Sequence, residues 1–475
     1  MTKSNRLQRF FCGRGYVVLT AILIFLGHST IRVGERLLFG GYQEFLFGSL
    51  MIFTVCIACF VCDDLRFFVM PVISFIFIVP TIHSPNIPYY SRFYLEHIPI
   101  TLEYVLLMLL VGSLICFMAR NRANRMPHGK AVFVSMAVFC AALMLNGLFS
   151  PYHCIQDVIY PLTMIAALPL CYLLFGAYVR FDRSAFRHFL FCIVVLGMLL
   201  CAQMLFVYLD PGPEGVRLTA SGSIEKGSLV FGWGISTAIG GMLAFLMPAC
   251  FWFARSHRHG WIYLLCGGVE YGCIILSQSR GALLAGTVVL VLSALLLLTG
   301  GKNRRINRVL IGIALVTGVG IAVKFFDKLV VFVRNHINDK LADHGRFQYW
   351  ETGIRKFFEY PVFGAGFYND FAYTGWQKDG YPYLYHNTPV QLLASGGLVA
   401  FGAYVYHRIC TVVLALRRPD PIRIFLFLCI LGLLIFCLFD VIFFSTYPTI
   451  IYSLMLLYMQ KDLDMRREEK TGNGR

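Results

Sequence analysis

Charge is what this sequence has least of. Only 14% of its 475 residues are Asp, Glu, Lys or Arg, where a soluble chain carries about 25%. That shortage excludes an ordinary water-exposed globular surface. Alternating apolar and polar residues in segments of about ten, the mark of a membrane β-barrel, are absent as well. So are a Walker motif, a cluster of metal-ligating side chains and a G-x-S-x-G, and no cofactor is expected. No internal repeat or low-complexity stretch is evident, which leaves an inverted-repeat transporter without direct support.

What is present is hydrophobic sequence. Apolar residues make up 58% of the chain, the mean hydropathy is +0.69, and apolar runs of roughly 20 residues recur from end to end, the length that spans a bilayer. The expected fold class is an all-α polytopic membrane protein with about 12–14 transmembrane helices. The net charge of +16 sits in short clusters between apolar runs, not on one amphipathic face. It reads as positive-inside topology, with no nucleic acid partner. Clusters at Arg120 to Lys130, Arg180 to Arg187, Arg255 to Arg258, Lys302 to Arg308, Arg408 to Arg423 and from Lys461 onward then mark the cytoplasmic side and place both termini there. Lys3, Arg6, Arg9 and Arg14 precede an apolar stretch with no small-x-small cleavage site, so a first span is expected rather than a signal peptide. Most of the 16 cysteines lie within apolar runs. Cys56, Cys59 and Cys62 share one helix face and are expected to be small core residues.

The expected organisation is residues 1–326 as N-terminal transmembrane helices (about 11 spans), 327–387 as a large loop on the outer side, 388–460 as C-terminal transmembrane helices and 461–475 as a cytoplasmic tail. A loop of roughly sixty residues is uncommon without a function. Within it, "GRFQYWETGIRKFFEY" repeats Phe347, Trp350, Ile354 and Phe357 at helical spacing, with Arg346, Glu351, Arg355 and Lys356 at polar positions. An amphipathic helix on the outer membrane interface is expected. Pro361 stops it, and "FGAGF" at Phe363 to Phe367 is expected to form a flexible turn back to the bilayer.

Three constellations carry chemistry. In "SQSRGALLAG", Ser279 is expected to cap a helix whose N-terminal amides, with Arg280, suit a phosphate; the alternative is a snorkelling interfacial arginine. Arg346 with Trp350 one turn away forms the second; the alternative is a solvated helix face. The third is "HNTPVQLLASGGLVA". Asn387 or Thr388 caps a helix, Pro389 fits its first turn, and His386 is left on the rim. The positive end of that helix works against an imidazolium, whereas a bound diphosphate works for one. Glu270 lies inside an expected span, a functional or a paired structural group. Asp462 and Asp464 form a D-x-D in a charged tail and are expected to be solvated.

In order and spacing, "SRGA" at Ser279 to Ala282, "GRFQYWETGIRKFFEYPVFGAGF" and "HNTPVQLLASGGLVAFGAY" resemble the O-antigen ligase and polymerase family of bacterial membrane glycosyltransferases, from about Ser277 to Tyr404. The resemblance implies a GT-C-like fold and a metal-independent, inverting transfer at the periplasmic face of the inner membrane. The donor would be a glycan on undecaprenyl diphosphate. The acceptor would be lipid A–core for a ligase, or a second lipid-linked glycan for a polymerase. It further implies that Arg280 and Arg346 engage the diphosphate and that His386 is the general base. A lipid-linked glycan transporter is a third possibility, but it calls for polar residues along a central path, and here they concentrate on one face.

Overall fold

A computed structural model describes residues 3–28, 32–33, 36–37, 42–77, 98–123, 130–151, 155–209, 229–231, 233–324, 326, 344–367 and 385–471. The expected loop is therefore seen in two pieces, and its stretches 327–343 and 368–384 lie outside the described residues, as do 210–228 and 78–97.

The chain is an all-α polytopic membrane protein. Among the described residues, seven helices are long and apolar enough to cross a membrane, and five shorter apolar helices accompany them. Two antiparallel ladders of two residues each, Arg32–Val33 with Arg36–Leu37 and Val230–Phe231 with Gly234–Ile235, are the strands present among those residues. The seven long helices differ in position. Ser236–Ser256 has 94% of its apolar window buried, whereas Ile100–Arg120 has 11%. The first is the central helix of the bundle. The second is peripheral, and its exposed Val105, Leu107 and Met108 are suited to contact lipid.

The helices that set the functional ends are labelled here in chain order: α1 (Arg183–Leu209), α2 (Gly260–Leu276), α3 (Arg280–Thr299), α4 (His344–Glu359), α5 (Thr388–Leu416), α6 (Pro421–Phe436) and α7 (Thr446–Thr471). The basic clusters gather at one end. Arg180 pairs with Asp63 at 2.7 Å, Arg66 with Asp64 and Asp182 at 3.2 Å each, and Arg183 with Glu469 at 3.5 Å. Arg423, fully buried, pairs with Asp462 at 2.8 Å, and Arg466 pairs with both Asp420 and Asp462.

Two expectations change at that end. Asp462 and Asp464 are buried rather than solvated, because α7 continues unbroken through the charged segment to Thr471 and packs it against the Arg423 turn. Arg408 does not belong to a basic loop. It lies inside α5, its guanidinium 4.4–5.0 Å from the rings of Phe443, Tyr404 and Tyr452, with Nη1 donating to the Tyr452 hydroxyl at 2.7 Å. Beside it, His407 bridges Ser135 and Tyr452 at 2.8 and 2.9 Å. Aromatic faces and hydroxyls substitute for the water these groups would otherwise need.

The α5 helix is two helices joined at Gly397, where φ is +60° and ψ −165°. The break is closed by the segment after α4. Leu398 and Val399 donate to the carbonyls of Pro361 and Val362 at 2.8 and 3.1 Å. Ala365 and Gly366 donate to the carbonyls of Ala394 and Ser395 at 2.9 and 3.0 Å. Gly364 and Gly366 both have positive φ, and a Cβ on Gly364 would collide with the α5 backbone. The glycine segment is thus a fixed plug in a membrane helix, not a flexible turn. The reason is that backbone groups freed inside the hydrocarbon need internal partners, and glycine alone lets two backbones approach this closely.

Candidate active site

At the end opposite the ion pairs, the site is built by two capped helices. Ser279 is the N-cap of α3 and accepts from the amide of Ala282 at 3.4 Å. Asn387 is the N-cap of α5, accepting from Val390 at 3.0 Å. This decides between Asn387 and Thr388 and puts Pro389 in the first turn, where a missing N–H costs nothing. Each cap follows a residue of left-handed backbone, Gln278 at φ +54° and His386 at φ +51°. Positive φ is uncommon outside glycine, and here it occurs one residue before both caps.

The two helix mouths are joined by a segment that neither contains. Thr388 donates its amide to Cys437 and its hydroxyl to the carbonyl of Asp440, at 2.9 and 3.1 Å. Asn387 donates from Nδ2 to the carbonyl of Leu438 at 2.9 Å. Phe439 packs against Gly281 so closely that a Cβ there would collide with it. The turn after α6 therefore touches α3 one residue from Arg280 and α5 one residue from His386. Arg280 is exposed at the first position of α3, and His386 is about 38% exposed. The carboxylate of Asp440 lies 3.7 Å from Nδ1 of His386. Asp440 is the residue that sequence reasoning missed. Its place as a turn residue 54 positions beyond the histidine gave no periodic signal, and only a lone carboxylate at the end of an apolar run marked it.

The amphipathic helix α4 lies over the same mouth. A Cβ on Gly353 would collide with Val390 and press on Tyr385, and the Tyr349 ring is 6.4 Å from that of His386. Arg346 precedes Gly353 by seven residues, two helical turns, and so shares the face directed at α5. Trp350 is half-buried and packs edge-on against Phe347 at 5.4 Å. Two details differ from the expected face. Lys356 is buried, pairing with Glu359 at 2.9 Å, while Phe347, Ile354 and Phe358 point outward. That outward apolar stripe is the geometry of a helix lying in a membrane surface.

Glu270 does not join this group. It is fully buried seven residues before Ser277, roughly 10 Å of helical rise, wedged against Gly197 of α1 and accepting from the Cys250 thiol at 3.2 Å. Among the described residues no group of His, Cys, Asp and Glu is arranged to hold a metal ion.

The class these features define is a polytopic helical membrane protein with a histidine, a carboxylate and two arginines at one end of its bundle. Residues 263–405 match the family model described as O-antigen ligase. That match supports a ligase- or polymerase-type function in lipopolysaccharide biosynthesis. Ser279, Arg280, Arg346 and His386 fall within the matched segment, and Asp440 falls outside it. No curated protein matches the chain.

Proposed function

We propose that this protein is an inverting glycosyltransferase of the O-antigen ligase type. It moves a glycan from undecaprenyl diphosphate to lipid A–core at the periplasmic face of the inner membrane. The observation that supports it is the turn Cys437–Asp440, which brings the Arg280 helix mouth and the His386 helix mouth together beneath α4.

The chemistry follows from those groups. The acceptor hydroxyl attacks the anomeric carbon from the face opposite the diphosphate. The C–O bond to phosphate breaks as the new glycosidic bond forms, and the hydroxyl proton passes to His386. A sugar hydroxyl is a poor nucleophile, so a base within hydrogen-bond reach matters most on that side. Asp440, 3.7 Å from Nδ1, compensates the imidazolium that forms. The leaving diphosphate gathers charge, which Arg280, the α3 amides capped by Ser279, and Arg346 stabilise. No step of this assignment calls on a metal.

Deleting the gene in its Gram-negative host and separating the lipopolysaccharide on a gel tests the reading. Loss of all O-antigen from the core is expected, with recovery on return of the wild-type gene. Core bearing a single repeat would instead identify a polymerase that uses the same donor. Purified His386→Ala, supplied with defined undecaprenyl diphosphate glycan and acceptor, is expected to lose transfer by roughly 10²–10⁴-fold. Full activity at normal protein levels would remove His386 from the chemistry.

A further inference from the structure

The end opposite the candidate active site holds a cavity of about 400 Å³ formed where α1 and α6 begin and where α7 ends, closed by the turn at Gly301 and Lys302. Five cations line it, Arg183, Arg187, Arg255, Lys302 and Arg466, against three carboxylates, Asp420, Asp462 and Glu469. The carboxylates are all engaged. Asp420 and Asp462 pair with Arg466, Asp462 also with Arg423, and Glu469 with Arg183. Arg255 donates to the carbonyl of Leu296. No ion pair among the described residues engages Arg187 or Lys302, and both are exposed at the rim.

The remaining wall is apolar, with Phe186, Trp252, Ile422 and Met465. The depth is informative. Arg183 opens a 27-residue span, and Ser256 closes the central one, so the cavity sits where helices leave the hydrocarbon. A tryptophan at that level is characteristic of the interface. A soluble phosphate needs only the cations. An apolar wall beneath a cationic rim at headgroup depth suits an amphiphile whose phosphate meets Arg187 and Lys302 while its glycerol end lies on Trp252.

We propose that this cavity is a binding site for an anionic phospholipid of the leaflet at the basic end, held through its headgroup phosphate by Arg187, Lys302 and Arg255. The site is separate from the His386 end and does not depend on the reaction assigned there.

The full-length protein in detergent tests this by native mass spectrometry and thermal unfolding, titrated with phosphatidylglycerol, phosphatidylcholine or inorganic phosphate. The wild type is expected to retain phosphatidylglycerol over phosphatidylcholine. Arg187→Ala/Lys302→Ala, both at exposed positions, is expected to lower phosphatidylglycerol affinity on the order of 30-fold and to lower phosphatidylcholine, whose phosphate is balanced by its own ammonium, far less. Arg304→Ala/Arg305→Ala, which removes equal charge outside the cavity, is expected to keep the preference. Equal retention of both lipids by the wild type would overturn the site, as would the same loss in both double variants. Stabilisation by inorganic phosphate alone, matching that by the lipid, would overturn the lipid as its ligand.

Discussion

The two ends of this bundle hold their charges in different ways. At the basic end, carboxylate meets guanidinium directly: Arg423 with Asp462, Arg466 with Asp420, Arg66 with Asp64 and Asp182. At the other end, Arg280 and His386 are positioned by backbone. Each sits beside an N-cap, two residues from a residue of positive φ or at one, and against the same turn. Paired charges satisfy one another and hold the fold. Charges set at helix mouths stand beside the first amides of α3 and α5, the arrangement that suits an anionic substrate.

Exchanging the roles of one arginine from each end tests that contrast most strongly. Arg423→Ala is expected to remove the buried partner of Asp462, leaving only the partly exposed Arg466 to compensate it, and to destabilise the protein by up to about 3–5 kcal/mol, read as a lower melting temperature and lower yield. Arg280→Ala is expected to melt normally and to lose transfer by roughly 10²–10³-fold. The contrast fails if Arg423→Ala is as stable as the wild type, or if Arg280→Ala fails to fold. Next comes Gly397→Ala, where a side chain at φ +60° meets the Val362 carbonyl. A loss of at least about 1–3 kcal/mol is expected from the strain alone, and an unchanged melting temperature would show that the plug yields. Asn387→Ala removes a cap and the Nδ2 bond to the Leu438 carbonyl and is expected to cost at least about 1 kcal/mol, with Asn387→Asp, which can accept but not donate, restoring the cap alone. Smallest is Glu351→Ala on α4. Its pair with Arg355 is exposed, and the change in melting temperature is expected to correspond to no more than about 0.5 kcal/mol.

Features carried by short-range sequence were legible. Ser279 and Asn387 announce caps, Pro389 fits a first turn, and apolar runs give the spans, because each depends on residues within one or two turns. What was not legible depended on partners far along the chain. The fixed state of the Phe363–Phe367 segment comes from carbonyls and amides some thirty residues later, so its glycines read as looseness. Asp462 and Asp464 read as solvated because nothing local announces Arg423 or the continuation of α7. Asp440 and the pairing of Arg408 with three rings likewise arise only when α5, the turn after α6 and α7 come together. The direction of the α4 stripe was legible as a period, but which side faces protein was set by Gly353, a residue with no hydropathy signal of its own.

The break at Gly397 bears on how the protein is assembled. A membrane helix ordinarily completes its own hydrogen bonds as it enters the bilayer, before it meets any neighbour. This one has four bonds that it can make only with residues 361–366, which are synthesised before it and lie outside it. Insertion of α5 and docking of the surface helix are therefore one event. A chain with the loop cut away would lose part of a transmembrane helix along with the cover over its site.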